Sequence, residues 1–459
     1  MNMLLSEIAK VVHGKLVGAD LAIAAVSIDT RALQPGQLYV AIKGKNFDGN
    51  DFVAAAEQAG AAAALVHEGV SADVPHVVVA DTHLALAELA GAWRDQHAAQ
   101  LHGQPAMVGI TGSNGKTTVK EMVAAILAVH DPVLFTQGNL NNDIGVPLTL
   151  LRLHEQHRYA VIEMGANHIG EIAYTSRYAK ADVVIITNVA PAHIEGFGSL
   201  DGVAKAKGEI IETLKAQGVA VINRDDVYFD YWQNVAGPRQ VRSFGLNPQA
   251  DVSARAIKTE LVNNEFATTF ELVTKQETGQ GRLKLAGQHN VLNALAATAA
   301  CLSLGIGLAQ ILQGLASLKP VTGRLQPLVS RLGNRIIDDT YNANPASLKA
   351  GLEVLTTMEG EPWLVLGAFG ELGPESATIH KELGDLIKAK GIARLLAVGA
   401  NAQQAVSSFG PGATFFDDQT ALIAALQQEL TGKETILIKG SRAQRMENVA
   451  AALVDNFRT

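Results

Sequence analysis

Cysteine is almost absent from this sequence of 459 residues, where Cys301 stands alone. A single thiol closes no intrachain disulfide and builds no Cys-rich zinc or redox framework. Cys301 is therefore expected as a small core residue, and the chain in a reducing compartment. An excess of basic charge is also missing. With 37 Lys and Arg against 45 Asp and Glu the formal net charge is −8, which leaves no general attraction to nucleic acid or anionic lipid. Proline is scarce at 14 residues, while 48% of residues are apolar and 18% charged. That balance excludes a disordered chain and matches ordinary globular α/β composition. Long uncharged runs are rare as well. The one stretch to weigh as a membrane span, 291–312, contains Asn293, Gln310 and the Gly305-Ile306-Gly307 break, and its Ala-rich first part reads as a buried helix stopped by Gly305. No targeting segment is expected, because Glu7 and Lys10 fall inside what would have to be the apolar core of a signal peptide. The expectation is a cytoplasmic protein with no nucleic-acid partner and no stable membrane association.

At roughly 150 residues per domain, the length predicts about three domains. Residues 1–82 read as a short α/β unit, with a helix near 4–12 and strands at 27–28, 38–42, 63–67 and 77–79. A helix over 83–97 leads into the linker-like LHGQP and opens the second unit, 83–317. There, apolar runs (MVGIT, YAVIEMG, DVVIITNVA, VAVIN) alternate with helical patterns, among them one over 200–216. This rhythm predicts parallel β-α-β units in a doubly wound sheet, with ligands gathering at the carboxyl ends of the strands. Residues 250–285 differ: FATTFELV and RLKL flank the turn-like ETGQG, which suggests a small antiparallel insert. After LASLKPVTG the β-α rhythm restarts with RIIDD, WLVLG, RLLAVG and TILIKG, a third α/β domain over 318–459.

The strongest single feature is the run Gly109-Ile110-Thr111-Gly112-Ser113-Asn114-Gly115-Lys116-Thr117-Thr118, which follows an apolar strand and opens a helical pattern. Glycines let backbone N–H groups converge on phosphate oxygens, the helix N-terminus adds its positive end, Lys116 neutralises the β/γ phosphates, and Thr117 offers a hydroxyl to Mg²⁺. Ile110 stands where the strict G-x-x-x-x-G-K-[ST] pattern has Gly, so this is a variant loop. The next strand ends in Glu163, a hard oxygen ligand at the same sheet edge, and NVAPAH places His193 there too. In DGVAKAKGEIIETLKA, residues Val203, Ile210, Ile211 and Leu214 form an apolar stripe, and Lys207 falls inside it. Lys205, followed four residues later by Glu209, belongs to the solvated face. A lysine in the stripe snorkels to water, pairs with an anion, or keeps a neutral amine able to take up CO₂ as a carbamate and so become an anion that orders Mg²⁺.

Together these segments resemble the Mur ligase family, the ATP-dependent amide-forming enzymes of bacterial cell-wall precursor synthesis, across all three predicted domains. The fold implied is α/β in three domains: a small N-terminal α/β domain, a central P-loop domain with a mainly parallel sheet and an antiparallel insert, and a C-terminal Rossmann-like domain. SIDTRALQPGQLYVAIKG at 27–44 and FDGNDF at 47–52 are similar to the family's uridine-nucleotide-sugar domain, implying substrate contacts from Thr30, Arg31, Asp48 and Gly49. The loop residues Gly112 to Thr118, with Glu163, His193 and Lys207, match the family's ATP loop, its Mg²⁺ ligands (two sites, drawing on Thr117, Glu163 and His193) and its carbamylated lysine. Lys116, Lys207 and His193 are the implied catalytic residues. GNLNNDIGVP, EMGANH and AKAKGE resemble the dipeptide-adding branch, which implies UDP-N-acetylmuramoyl-tripeptide and D-alanyl-D-alanine as substrates and Asn139, Asn141 and Asn142 on the substrate side.

By the same resemblance Asn293 lies on the adenine side, with a helix-start amide bonded to backbone as the alternative. Arg324 reaches the phosphates on domain closure, Asp339 faces ribose and phosphates, and Tyr341, Asn342 and Asn344 stand near the nucleotide and the incoming dipeptide. Lys439-Gly440-Ser441-Arg442 matches the family's KGSR turn, or is an exposed basic cluster. Ala368 departs from the pattern, standing where the family has Asp before Glu-Leu-Gly. The implied chemistry is a monomeric ligase that activates a peptide carboxylate as an acyl phosphate, without a protein nucleophile. A sister ligase adding a single amino acid, or glutamate to folate, and a non-synthetic ATPase switch are the rival readings.

Overall fold

The computed structural model describes residues 1–44, 47–70, 72–100, 105–191, 194–370 and 372–455. Three α/β modules follow one another along the chain. The first is a five-stranded sheet in the order Lys15–Val17, His76–Val79, Ala63–His67, Leu38–Val40, Val26–Ser27, parallel except for its first pair. Helix Leu5–Val11 covers it with Leu5 and Ile8 buried, and the predicted helix and four strands are all present. Its last apolar strand leads into helix Thr82–Gln100, which packs two ways. Leu86, Leu89 and Trp93 share one core with Ile8 and Leu65 of the first module and with Leu150, Leu153 and Ile172 of the second. The Trp93 indole N–H donates to the Leu153 carbonyl at 3.1 Å.

The central sheet has nine strands in the order Thr278–Leu283, Glu265–Thr274, Val252–Val262, Gln240–Phe244, Val219–Asn223, Val183–Ile186, Ala106–Thr111, Tyr159–Glu163, Val133–Phe135. From Gln240–Phe244 onward every pairing is parallel. The chain leaves Ala106–Thr111, runs to the far edge strand, returns through Tyr159–Glu163, and then crosses to Val183–Ile186 on the other side. Ala106–Thr111 is thus the topological switch point, the place where an open α/β sheet presents a crevice. Helix Gln288–Ser303 buries Val291, Leu295 and Cys301 against this sheet and ends before Gly305 (φ 81°), as predicted. Burial raises the Cys301 thiol, in keeping with an inert core residue. Among the described residues no helix is long and apolar enough to cross a membrane.

The predicted antiparallel insert lies within 250–285 as expected and is better integrated than its sequence suggests. Three strands, Val252–Val262, Glu265–Thr274 and Thr278–Leu283, form it, and it extends the central sheet through the Phe244–Val252 pairing. The turn-like ETGQG lies mostly in strand Thr278–Leu283, where Gly279 and Gly281 admit Leu312 and Phe270 side chains that a Cβ would displace. The hairpin also reaches the third module: Phe266, 3% exposed, sits in a core with Ile337, Leu348 and Leu355, and Leu261 packs beside it. The helix predicted over 200–216 stops at Glu212, with Ser199 as N-cap accepting from Gly202 N at 3.0 Å.

The third module is a six-stranded sheet in the order Gln326–Val329, Arg335–Asp339, Glu434–Lys439, Glu361–Gly367, Arg394–Val398, Ala413–Phe416, parallel except for the first pair. Its two edge strands escaped the sequence reading because each is four residues long and only partly buried.

Candidate active site

The phosphate-type loop leaves strand Ala106–Thr111 and enters helix Lys116–Leu127. Two of its glycines are dictated by space. Gly112 (φ 144°) would place a Cβ 1.8 Å from Thr187 Oγ1, and Gly115 (φ 81°) would place one 2.3 Å from Asn293 Oδ1. The loop is then tied to the segment after the neighbouring strand. Thr187 Oγ1 donates to Asn114 O at 2.6 Å, Ser113 N donates to Asn188 O at 2.9 Å, and Asn114 N donates to Asn188 Oδ1 at 3.0 Å. Lys116 Nζ donates to Gly112 O at 2.7 Å and Ser113 O at 3.3 Å. Burial lowers its affinity for the proton, the Glu163 carboxylate opposes that shift, and Arg324 adds to it.

Thr117 and Glu163 meet as expected: the Thr117 hydroxyl donates to Glu163 Oε1 at 3.3 Å, and Asn141 Nδ2 donates to the same oxygen at 2.9 Å. Glu163 is 2% exposed, and its Oε2 is buried with no hydrogen-bond partner among the described residues. A buried, half-satisfied carboxylate beside a hydroxyl is a fitting donor pair for a hard cation such as Mg²⁺, which takes few protein ligands and completes its shell with water and phosphate oxygens. Among the described residues no group of three or more His, Cys, Asp or Glu is placed to hold a metal ion. His193 lies outside the described residues.

Lys207 is 2% exposed on helix Leu200–Glu212. Its Nζ stands 5.3 Å from the Phe197 ring centroid, and among the described residues no hydrogen bond or ion pair engages it. The amine lines a cavity instead of reaching bulk water, so the snorkelling alternative fails. Burial, reinforced by Lys116, pushes it down to about 7, against the opposing pull of Glu209 and Glu171. Glu209, four residues after Lys205, does not share the solvated face of that lysine. It is 5% exposed and accepts from Gly170 N at 2.7 Å and Ala173 N at 3.0 Å, closing the N-terminus of helix Glu171–Ala179. Lys205 is exposed as expected.

The third module closes over this edge. Arg324 Nη2 donates to Thr117 Oγ1 at 3.2 Å, and its guanidinium lies 4.3 Å from the Tyr341 ring centroid. Asn344 caps helix Pro345–Leu355 through Ser347 N, while its Nδ2 donates to Asn114 Oδ1 at 2.6 Å, bridging two modules. Asp339 accepts from Leu325 N at 3.3 Å and from Lys439 Nζ at 2.5 Å, and Lys439 also donates to Asn342 O at 3.1 Å. Lys439 is 1% exposed, so the KGSR turn is not the exposed basic cluster of the alternative reading, although Arg442 is exposed.

Two cavities result. One, of about 290 Å³, is lined by Gly115, Thr118, Asn188, Phe244, Asn293 and Asp339. Its walls offer apolar surface and amide groups suited to a flat heterocycle. Asn293 Nδ2 donates to Asn290 Oδ1 at 3.2 Å, not to backbone. The other, of about 330 Å³, is lined by Lys116, Thr117, Glu163, Lys207, Asn142 and Tyr341.

Other predicted residues lie elsewhere. Thr30, Arg31, Asp48, Gly49 and the exposed Asn139 line neither cavity. Arg31 forks onto Asp29 at 2.9 and 2.7 Å, and that hydrogen-bonded pairing holds Asp29 at about 2. Asp48 accepts from Asn50 and contacts His67 Nε2 at 3.1 Å, and Gly49 packs so close that a Cβ would fall 2.6 Å from the Ile42 backbone. Ala368 is buried against Gly399, and its carbonyl accepts from Ser441 Oγ at 2.7 Å. The sequence reading passed over Asn188, Phe244 and His289. Asn188 carried a signal, as the first residue after an apolar strand.

Three family models match the chain: the Mur ligase family catalytic domain over residues 22–94, the Mur ligase middle domain over 110–301, and the Mur ligase, glutamate ligase domain over 323–442. The UDP-N-acetylmuramoyl-tripeptide--D-alanyl-D-alanine ligase of Escherichia coli (strain K12) is 45% identical over 459 residues, 99% of each chain. A crystal structure of MurF from Acinetobacter baumannii matches with a TM-score of 0.91 at 37% identity, covering 98% of both chains. The MurF ligase of Thermotoga maritima, solved in complex with ADP, matches with a TM-score of 0.82 at 28% identity over 93% of this chain and 96% of that one.

Proposed function

This chain belongs to the Mur ligase family, and from that premise we propose that it uses ATP to join D-alanyl-D-alanine to the terminal carboxylate of UDP-N-acetylmuramoyl-tripeptide. One observation carries the reading. The phosphate loop, the Glu163 carboxylate, the buried Lys207 amine and the Asp339–Lys439 pair border one cavity, in a chain similar from end to end to a dipeptide-adding ligase.

The peptide carboxylate attacks the γ-phosphorus of ATP, forming a carboxyl–phosphate bond and releasing ADP. The dipeptide amine then attacks the acyl carbon, phosphate leaves, and the amine proton passes to solvent. The protein contributes position and charge rather than a nucleophile. Lys116 supplies the cation for the transferred phosphoryl group, while Gly112, Ser113, Asn114, Gly115 and Thr118 shape the backbone cradle. Thr117 and Glu163, with His193, would hold Mg²⁺, which neutralises phosphate charge when bound. Lys207 is read as a carbamate. Its neutral amine adds to CO₂, a C–N bond forms and a proton leaves to solvent, so the cation is replaced by an anion facing the cavity. Arg324, Asp339 and Asn344 bring the third module onto the loop, Asn293 borders the heterocycle, and Asn142, Tyr341 and Asn342 face the acceptor side. Thr30, Arg31, Asp48 and Gly49 are read as the remote uridine handle, whose binding energy orients the reacting end. A cytoplasmic location belongs to the same reading, since both substrates are those of cell-wall precursor synthesis.

The test is phosphate release from ATP in the presence of the UDP-tripeptide. Release that requires D-alanyl-D-alanine and is not supported by single amino acids fits the proposal. Release supported equally by one amino acid would assign the chain to a sister activity.

A further inference from the structure

Helix Ser376–Ala389 buries His380, Leu383, Gly384 and Ile387 at i, i+3, i+4 and i+7, so a histidine takes the first place of an otherwise apolar stripe. It is 0% exposed and lines neither cavity. A buried ring nitrogen needs a partner, and both nitrogens of His380 have one. Nδ1 faces the Ser376 carbonyl at 2.7 Å, one turn back on the same helix, with Ser376 Oγ farther off at 3.4 Å. Nε2 faces the backbone N–H of Phe369 at 3.0 Å, outside the helix and just after strand Glu361–Gly367.

The polarity of these partners decides the state of the ring. A backbone carbonyl only accepts and a backbone N–H only donates, so Nδ1 carries the proton and Nε2 is bare. A second proton would set Nε2–H against Phe369 N–H, donor against donor. Burial lowers the ring's proton affinity in the same sense, and the Ser376 carbonyl opposes that shift. The Phe369 ring stands beside it, 5.7 Å between centroids, and among the described residues no charged side chain hydrogen-bonds to the ring.

Phe369 is the centre of the segment Ala368-Phe369-Gly370, which lies along the KGSR turn. The Ala368 carbonyl accepts from Ser441 Oγ at 2.7 Å, a Cβ on Gly370 would meet Ser441 Cβ at 3.7 Å, and one on Gly440 would fall 3.0 Å from Gly367 Cα. Lys439, next before Gly440, lines the second cavity and donates to the Asn342 carbonyl. The far side of the same segment is tied to the neighbouring strand, where Ala368 N donates to Val398 O at 3.0 Å.

We infer that His380 is a positioning residue for the acceptor side: as the neutral Nδ1–H imidazole it fixes Phe369 N–H, and with it the segment 368–370 that backs the turn carrying Lys439 into the cleft. It acts through that backbone and not on substrate. The kinetic consequence rests on the ligase reading; the state of the ring does not.

Nitrogen-15 NMR of the full chain with labelled histidine comes first, since it needs no substrate. At neutral pH one histidine, assigned by its loss in both His380→Gln and His380→Asn, should show a protonated Nδ1 and an unprotonated Nε2. The two substitutions also separate the two bonds. Glutamine reaches the Nε2 position with an amide oxygen that accepts from Phe369 N–H, whereas asparagine reaches only the Nδ1 position and leaves that N–H without a partner. His380→Gln should hold kcat/KM for D-alanyl-D-alanine within about threefold of the parent, and His380→Asn should lose about tenfold, the scale of one buried donor left unpaired. The loss should appear mainly as a higher KM for the dipeptide, with ADP affinity in both variants within about twofold of the parent. A proton on Nε2, or a doubly protonated ring, would overturn the inference. So would His380→Gln as impaired as His380→Asn, or a His380→Asn with a lowered thermal midpoint and parental dipeptide kinetics, the mark of a bond that only holds the fold.

Discussion

Replacing Lys207 by alanine tests the least usual group in the cleft. The ordinary ammonium value of 10.5 falls to about 7 here, and a drop of about 3.5 units is worth roughly 5 kcal/mol at about 1.36 kcal/mol per unit. That is the scale of the cost of keeping a cation in this wall, and it is why the amine is available as a nucleophile for CO₂. The share of neutral amine grows as pH rises through that range. The sign for stability follows. Between about 7 and 10.5 the unfolded chain binds a proton at this lysine that the folded chain does not, so the unmodified protein gains stability as pH rises through that window and carries the full cost below it. Lys207→Ala should flatten that dependence in denaturant titrations. In ADP-release assays the same variant should lose about 10²–10³ in turnover, the scale of removing one positioned charge from a reacting site. It should regain part of that loss with added short carboxylic acids, which return an anion to the same wall. Stripping CO₂ from the parent should depress activity, and bicarbonate should restore it. A variant with parental turnover, indifferent to carboxylic acids, in a protein indifferent to CO₂, would refute the carbamate reasoning.

Lys116→Ala should abolish ADP release, by about 10²–10³ or more, with a thermal midpoint within about 2 °C of the parent; near-parental turnover would remove Lys116 from phosphoryl transfer. Gly115→Ala forces a Cβ to 2.3 Å from Asn293 Oδ1 at φ 81°, a strain of about 1–3 kcal/mol. It should weaken ADP binding in calorimetric titration, and unchanged affinity would show that the loop yields freely. Phe266→Ala empties the anchor that the central hairpin sets in the third module's core. A loss of about 3–5 kcal/mol is expected, seen as earlier unfolding and faster proteolysis of the third module, and an unaltered unfolding curve would mean that the anchor bears no weight.

The parts of the site that follow from local sequence were legible in advance. Gly-Lys-Thr-Thr opening a helix, an acid ending the next strand, and a lysine three and four residues from isoleucines each need only one element's geometry. What escaped depends on what another element brings. Glu209 looks like half of a surface i, i+4 pair, but the N-terminus of helix Glu171–Ala179 lies against it and draws it inward. Lys439 looks like part of an exposed basic turn until Asp339, one strand away, pairs with it. The hairpin at 252–274 shows antiparallel alternation in its second strand, but nothing local tells that Val252 pairs with Phe244 or that Phe266 belongs to the next module's core. Asp338 and Asp339 are adjacent in sequence, and only the pleat of the strand sends one into the buried face and the other to Lys439 in the cleft.

The central claim is that a peptide carboxylate is activated as an acyl phosphate and captured by a dipeptide. Mass spectrometry of a reaction with the UDP-tripeptide labelled with oxygen-18 in its terminal carboxylate tests it most directly. The account predicts one labelled oxygen in the released phosphate for each D-alanyl-D-alanine joined; unlabelled phosphate, or equal product from a single amino acid, would contradict it.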